Sequence, residues 1–422
     1  MSDHGILHLE PPRERTLSKF DRRKAEILNA AAAVINRLGL KDATLAVVAA
    51  EIGLNLKSLR YYFKRKDDLA GAAFLHSIAV HQQLVEDVLP IDSFEERIAA
   101  FVEGYFSLQA EIRSGRRPET VHFGDLRALA DPQRQAVGKA YVEFFRTTCR
   151  LFRPGDAPWT ADQRAANAHF LISQLLWSVV WIGGYMPSDF SRVAGHLGNI
   201  LLNGIAEKPA DLLASHRDMP TPFEDSERLT QESFLRAATE LINDIGYRGA
   251  AVDRISESLH VTKGAFYHYN DTRDGLVVAC FERTFDIIRQ AQDIAMAGEM
   301  DGLSHVAAAT VSLVSRQMDP SGILLRTSAL TAVGLDLREE MARRLSLSTL
   351  RFADMLNDGL IDRSVRVCDM RIAAEMVTAT INSAQELQRW VPAATRENAA
   401  DLFVRPLLYG FRGSADEEAD RL

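Results

Sequence analysis

The sequence predicts an all-α protein built from two similar units in tandem. Three observations predict it. Apolar residues recur at three- and four-residue spacing along most of the chain, alanine and leucine are abundant, and nowhere is there the sustained alternation a strand needs. Sliding the chain by 207 residues lays two segments on each other without a gap. Ile27, Leu28, Val34, Ile35 and Leu38 then fall on Phe234, Leu235, Leu241, Ile242 and Ile245, while Gly39 falls on Gly246, Leu59 on Phe266, Tyr62 on Tyr269 and Leu69 on Leu276. The offset is close to half the chain (422/2 = 211), so a whole unit is repeated and not one motif. Between the copies, residues 207–226 carry Pro209, Pro220 and Pro222 with little periodicity, which marks a linker. The 422 residues also exceed the roughly 250–300 at which single cores stop growing.

The first unit opens with an amphipathic helix whose apolar stripe stops at Gly39, the residue type that caps helix C-termini. Thr44 then precedes a short apolar helix, LAVVAAEIG, that closes at Gly53. After Gly53-Leu54-Asn55 comes a second one, LKSLRYY. A short helix, a tight glycine turn and another short helix is the spacing of a helix-turn-helix. Ala49 and Gly53 supply small residues where the helices cross, and Thr44 and Asn55 are good N-caps. The stretch LRYYFKRKDDLA (59–70) follows, two tyrosines and a phenylalanine before three bases. Phe63 is expected in the core. Tyr61 and Tyr62 are rigid donors suited to phosphate, with Lys66 as a cation beside them.

Charge is distributed to match. Thirteen Lys and Arg lie between Arg13 and Lys66 against five acids, so this segment carries 13 − 5 = +8, and with a total of −8 the remainder carries −16. A basic head on an acidic body fits a duplex-binding protein that resists non-specific sticking. The arm of Arg13, Arg15, Lys19, Arg22, Arg23 and Lys24 is part of that head. Residues 227–273 hold six bases and seven acids, net −1, so the second head is electrostatically unlike the first.

The block TLAVVAAEIGLNLKSLRYYFKRKDDL resembles the DNA-binding domain of the tetracycline-repressor (TetR) family, and VTKGAFYHYNDTRDGL in the second copy resembles it too. The likeness covers about 50 residues per copy, 25–75 and 232–282. It implies, in each unit, a three-helix head and a helical regulatory bundle. It also implies that two units pair through their last two helices, here as an intramolecular pseudo-dimer. The expected domains are a first head (17–69), a first regulatory domain (70–206), the linker (207–226), a second head (227–276) and a second regulatory domain (277–412).

By matching positions, the resemblance places DNA contacts at Thr44, Asn55, Lys57, Ser58, Tyr61, Tyr62 and Lys66. In the second copy it places them at Thr262, Lys263, Gly264, Tyr267, His268, Tyr269 and Arg273. The copies depart from the family in different places: Leu56-Lys57 and Arg60 in the first, Ala251 and Asn270 in the second. Double-stranded operator DNA with unequal half-sites is therefore the expected partner, and an unidentified small molecule the expected effector. In the regulatory part, Phe106, Phe123, Phe145 and Trp177 are the candidate ligand contacts. Trp177, Trp181 and Tyr185 form one helical stripe of the kind found in cores and interfaces.

Other chemistry finds little support. Cys149, Cys280 and Cys368 share no close spacing, and His122, His169 and His196 lack metal-ligand spacing, so no metal or cofactor is expected. There is no nucleophile elbow and no phosphate-binding loop, which argues against an enzyme. The opening MSDHGILHLEPPRER does not read as a secretory signal, and the apolar stretch from Phe170 to Met186 is interrupted and short of a membrane span. The expectation is a cytoplasmic regulator of transcription, a repressor, with no membrane partner. The alternative is a ligand sensor or protein-interaction regulator whose second head does not touch DNA.

Overall fold

A computed structural model describes residues 18–208, 212–215, 231–249, 273–319 and 322–419. Among them the regular elements are helices, joined by short 3-10 turns and one isolated bridge between Ala206 and Val365. The first head is α1 (Lys19–Asp42), α2 (Leu45–Glu51) and α3 (Leu56–Tyr62). The first bundle follows as α4 (Lys66–Val88), α5 (Phe94–Arg113), a 3-10 turn (Phe123–Ala128), α6 (Gln133–Cys149), α7 (Ala161–Trp181) and α8 (Phe190–Asn203). One turn, α9 (Leu212–Ser215), precedes α10 (Gln231–Gly249). The second bundle comprises α11 (Arg273–Met296), α12 (Gly302–Arg316), a 3-10 turn (Thr327–Ala332), α13 (Leu335–Asp362), α14 (Met370–Ser383), α15 (Leu387–Trp390) and α16 (Arg405–Ala419).

Local chemistry explains the boundaries. Ser18, Thr44, Asn55, Ser93 and Thr160 each accept a hydrogen bond from a backbone N–H in the first turn of the helix that follows, filling one of the unpaired donors there. Thr160 and Gln163 form a reciprocal capping box. α1 breaks its helical dihedrals at Gly39, the glycine at which its apolar stripe stops. α4 runs unbroken from residue 66 and α11 from residue 273, so each bundle shares a helix with the head before it.

One continuous apolar core reaches from Ile27 in the first head to Phe411 in the last helix. A smaller cluster gathers Phe234, Leu235, Ala238 and Ile242 of α10 against Leu276, Val277, Cys280 and Phe281 of α11. Between the bundles, α7 packs on α14 and α8 on α16. The 161–184 stretch is apolar and long enough to cross a bilayer by composition, yet 72% of its most apolar window is buried inside this packing. Where α8 and α16 meet, Gly204 and Gly410 stand backbone to backbone, with φ of 68° and 71°. A Cβ on Gly204 would fall 2.2 Å from the Leu408 carbonyl oxygen, and one on Gly410 would fall 2.4 Å from that of Leu202. Only glycine fits either position.

Candidate nucleic-acid interface and bundle cavity

The first head assembles as its residue types require. Gly53 turns the chain at φ 64° with nothing within 4 Å of its would-be Cβ, and Leu54 N–H donates to the Ala49 carbonyl to close the turn. Thr44 Oγ1 accepts from Val47 N–H at 3.3 Å and Asn55 Oδ1 from Ser58 N–H at 2.8 Å, so both caps form. Val48, Ala49 and Leu59 are buried where α2 and α3 pack on α1. Thr44, Asn55, Lys57 and Tyr61 are exposed, and Ser58 and Tyr62 half-buried.

The aromatic end of α3 is solvent-facing. Tyr61 is 77% exposed and Phe63 is in the core, as expected. Phe20, which no motif in the chain singles out, lies 4.9 Å from the Tyr62 ring in a stacked pair and 6.1 Å from Tyr61 edge-on. That contact brings the N-terminus of α1, with exposed Lys19, Arg22 and Lys24, to the same end of the head as Lys57, Arg60, Lys64 and Arg65. Arg13 and Arg15 lie outside the described residues. Not every cation is available: Arg37 pairs with Glu51 at 2.7 Å, and that bond raises the guanidinium pKa and lowers the carboxyl's. Lys66 donates to the Lys41 carbonyl at 2.7 Å, tying the start of α4 to the end of α1.

In the second head, Thr262, Lys263, Gly264, Tyr267, His268 and Tyr269 lie outside the described residues, as do Ala251 and Asn270, and Arg273 opens α11. What is described is how its first helix is held. Asn243 of α10 donates to the Leu324 carbonyl at 2.8 Å and accepts from Arg326 N–H at 3.1 Å. Asn36 of α1 donates to the Thr120 carbonyl at 2.9 Å and accepts from His122 N–H at 2.9 Å. The two asparagines are 207 residues apart and their partners 204. A second pair repeats the pattern: Val121 N–H donates to Ser77 Oγ at 2.8 Å and Leu325 N–H to Thr284 Oγ1 at 2.9 Å. Asparagine at both 36 and 243 was the signal in the sequence that could have been found.

Around Asn243 lies a charged knot joining the two bundles. Glu386 accepts from Arg127 and Arg326, and Arg127 also donates to the Asn243 carbonyl. Burial pushes the Glu386 carboxyl up, but Arg326, Arg127 and their neighbours outweigh it and hold the pKa below the ordinary value. Burial lowers Arg326 to about 10, which still leaves it charged at neutral pH.

The four candidate ligand contacts all pack against neighbouring side chains. Phe106 is fully buried among Tyr105, Trp181 and Phe190. Phe123 packs on His81, Tyr141 and Phe144. Phe145 stacks on Trp390 at 3.9 Å, and the Trp177 indole donates to Glu375 at 3.0 Å, so these two hold the bundles together. Tyr185, last of the aromatic stripe, sits under Arg371 at 4.7 Å, again across the seam. A cavity of about 30 Å³ lies elsewhere, inside the second bundle, and none of the four lines it. Its walls are mainly apolar (Phe281, Phe352 and Ile381 among them), with amides at Gln317, Asn382 and Gln385. The thiols are chemically quiet: burial raises Cys149 and Cys368 to about 11 and Cys280 to about 12.

Residues 234–280 match the family model described as bacterial regulatory proteins, tetR family. The HTH-type transcriptional regulator BetI of Vibrio atlanticus (strain LGP32) is 30% identical over 207 residues, 47% of this chain and 96% of that protein. BetI of Proteus mirabilis (strain HI4320) is 32% identical over 91 residues, 20% of this chain and 44% of that protein. The Transposon Tn10 TetC protein of Escherichia coli is 36% identical over 59 residues, 14% of this chain and 30% of that protein. The last two matches span less than half of those relatives' lengths. Among solved structures, the TetR family transcriptional regulator PfmR from Thermus thermophilus aligns with a TM-score of 0.36 at 15% identity, over 42% of this chain and 98% of that one. FadR from Bacillus subtilis in complex with stearoyl-CoA gives 0.35 at 17%, over 42% and 98%. With almost the whole of the Vibrio regulator aligned at 30% identity, this chain belongs to the TetR family of bacterial regulatory proteins.

Proposed function

We propose that the protein is a cytoplasmic DNA-binding transcriptional regulator, a repressor, made of two family units on one polypeptide that pair with each other and release operator DNA when a small molecule binds. The observation that carries this is the first head. Two capped helices cross at a glycine turn and carry Lys57, Ser58, Tyr61 and Tyr62, with Arg60, Lys64 and Arg65 exposed on the same stretch. Phosphate contacts from such groups position a protein on duplex, and the first turn of a recognition helix reads base edges. The repeated asparagine and hydroxyl bonds, at constant shifts in both halves, support duplication. The packing of α7 and α8 on α14 and α16 supports pairing within the chain. Pairing then depends on the effective concentration set by the linker, not on protein concentration.

On this reading a ligand acts by favouring the conformation whose heads are misplaced for successive major grooves, about 34–36 Å apart. A full swing in occupancy needs about 5.5 kcal/mol of discrimination. The expected DNA contacts are Thr44, Asn55, Lys57, Ser58, Tyr61, Tyr62 and Lys66 in the first head and Thr262, Lys263, Gly264, Tyr267, His268, Tyr269 and Arg273 in the second. The net −1 of residues 227–273 favours a second reading, in which only the first head touches DNA. Selection of bound fragments from random duplex tests both. Two unequal half-sites support bipartite reading, one half-site supports the second reading, and a perfect palindrome with equal loss on mutating either half refutes the asymmetry. Lys57→Ala should lower the slope of log affinity against log salt by about 0.9. No selected sequence at all would overturn the proposal.

A further inference from the structure

We propose that the first bundle carries a surface site for a small, soluble phosphate ester at its end away from the first head, where α4 and α6 finish and α7 begins. An open pocket of about 410 Å³ lies there, within the roughly 300–1,000 Å³ of small-molecule sites. Arg150, Arg153 and Arg164 line it, with Leu89, Phe152 and Pro154 as its apolar part. Among the described residues no carboxylate is in the lining. The Cys149 thiol of the wall adds no negative charge at neutral pH, because burial raises it to about 11. The site is separate from the DNA-reading surface: α4 has 23 residues and spans about 34 Å from the first head to this end.

The three guanidiniums are unequally compensated. Arg153 Nη2 donates to the carbonyls of Leu89 and Ile91, the latter at 3.1 Å, and its ion pair at 3.5 Å is with Asp92, a fully exposed carboxylate. Asp156, the other acid nearby, accepts from the Arg153 N–H at 2.8 Å and pairs with the buried Arg97, so it is already engaged. Arg164 Nη1 donates to the Trp159 carbonyl at 2.7 Å. Neither Arg164 nor Arg150 has an ion pair among the described residues. Two uncompensated guanidiniums in one pocket, on the acidic part of the chain, call for an anion. Guanidinium forks match phosphate oxygens two at a time, and a phosphate monoester carries about −1.5 to −2 at pH 7, which this pair balances. Main-chain carbonyls already hold Arg153 and Arg164, so binding orders little that is free. The apolar wall gives the organic part of an ester a surface that inorganic phosphate cannot use.

The test is calorimetry on the full chain with phenyl phosphate, inorganic phosphate and benzyl alcohol. Phenyl phosphate is expected to bind once per chain, inorganic phosphate about tenfold more weakly, and the neutral alcohol not at all to millimolar concentration. Arg150→Gln and Arg164→Gln should each cost phenyl phosphate about tenfold. Arg150 is exposed, so its variant should melt as the parent does. If Arg164→Gln lowers the melt through its lost bond to the Trp159 carbonyl, the Arg150→Gln result decides. Alcohol binding as tightly as the ester, unchanged affinity in Arg150→Gln, or no binding of phenyl phosphate to millimolar concentration would each overturn the proposal. Vesicles of phosphatidic acid separate a lipid headgroup from a soluble ester. Arginine-dependent capture of vesicles without binding of phenyl phosphate sinks the proposal. A loss of duplex affinity in both arginine variants, again without phenyl phosphate binding, would make the pocket a DNA contact and sink it too. A failure of the chain to bind any duplex, with phenyl phosphate still bound, overturns the DNA-binding reading and leaves this site standing.

Discussion

Asn36 and Asn243 grip their surroundings with the same pair of hydrogen bonds, and Ser77 and Thr284 repeat a second contact one layer deeper. Behind these shared fixings the two bundles differ. The first is closed by rings, with His81, Tyr105, Phe123, Tyr141 and Phe144 in mutual contact, and the second encloses space. The two asparagine clamps are alike in geometry, while the interiors behind them differ. Hydrogen bonds demand two partners at fixed geometry, whereas an apolar interior demands only volume and can lose some of it.

Four measurements would break or sharpen that contrast. Phe144→Ala in the ring cluster should cost about 3–5 kcal/mol of unfolding free energy. Phe352→Ala beside the cavity should cost about 1 kcal/mol less or lower still, because that ring already lacks partner atoms on one side. Equal losses by denaturant titration would mean the second bundle is as tightly packed as the first.

Acid should weaken the first bundle first. Burial lowers His81 and His169 to about 4, so the folded chain keeps them neutral while the unfolded chain protonates them below about 6.5. The stability they contribute is present above about pH 6.5 and is lost as pH falls toward about 4, by about 1.4 kcal/mol per pH unit for each histidine. By the 207-residue shift, the second bundle has Ile288 in the place of His81. Hydrogen exchange at about pH 5.5, inside that window, should accelerate in α4 before α11, and equal acceleration would argue against a role for His81.

Asn243→Ala should cost about 2 kcal/mol and Asn36→Ala about 1 kcal/mol, since Asn243 is buried and Asn36 only half-buried. A reversed order by thermal melting would show that burial does not rank the two clamps. Arg37→Ala should change stability by less than about 1 kcal/mol, because its pair with Glu51 is exposed and screened. A larger loss would mean the head depends on that pair.

Much of the fold could be read from the chain because it depends on near neighbours. Thr44 and Asn55 cap helices by bonding three residues ahead, and Gly53 turns where a left-handed residue is needed. Three-residue arithmetic suffices for these. The apolar stripe likewise located α7, and its aromatic spacing pointed to an interface, which Trp177 and Tyr185 occupy. What escaped depends on distant partners. Nothing near Phe20 in the sequence says that it stacks on Tyr62, and nothing near Arg127 points to Glu386, 259 residues away. The cavity was missed for a related reason. Large aromatics were the natural candidates for ligand contacts, and Phe106 and Phe123 pack among other rings of the first bundle, whereas the cavity lies in the second.

The meeting of Gly204 and Gly410 limits how the two bundles can move. Ile205 and Ala206 both donate to the Leu408 carbonyl at 2.9 Å, so main chain is fastened directly to main chain where the last helices pass. Sliding would break those bonds, and no intervening side chain could yield in their place. The adjoining chain is tied as well, with Arg366 N–H donating to the Ile205 carbonyl at 3.0 Å and Glu207 N–H to the Ser364 carbonyl at 2.9 Å, so the contact holds the two bundles in one register.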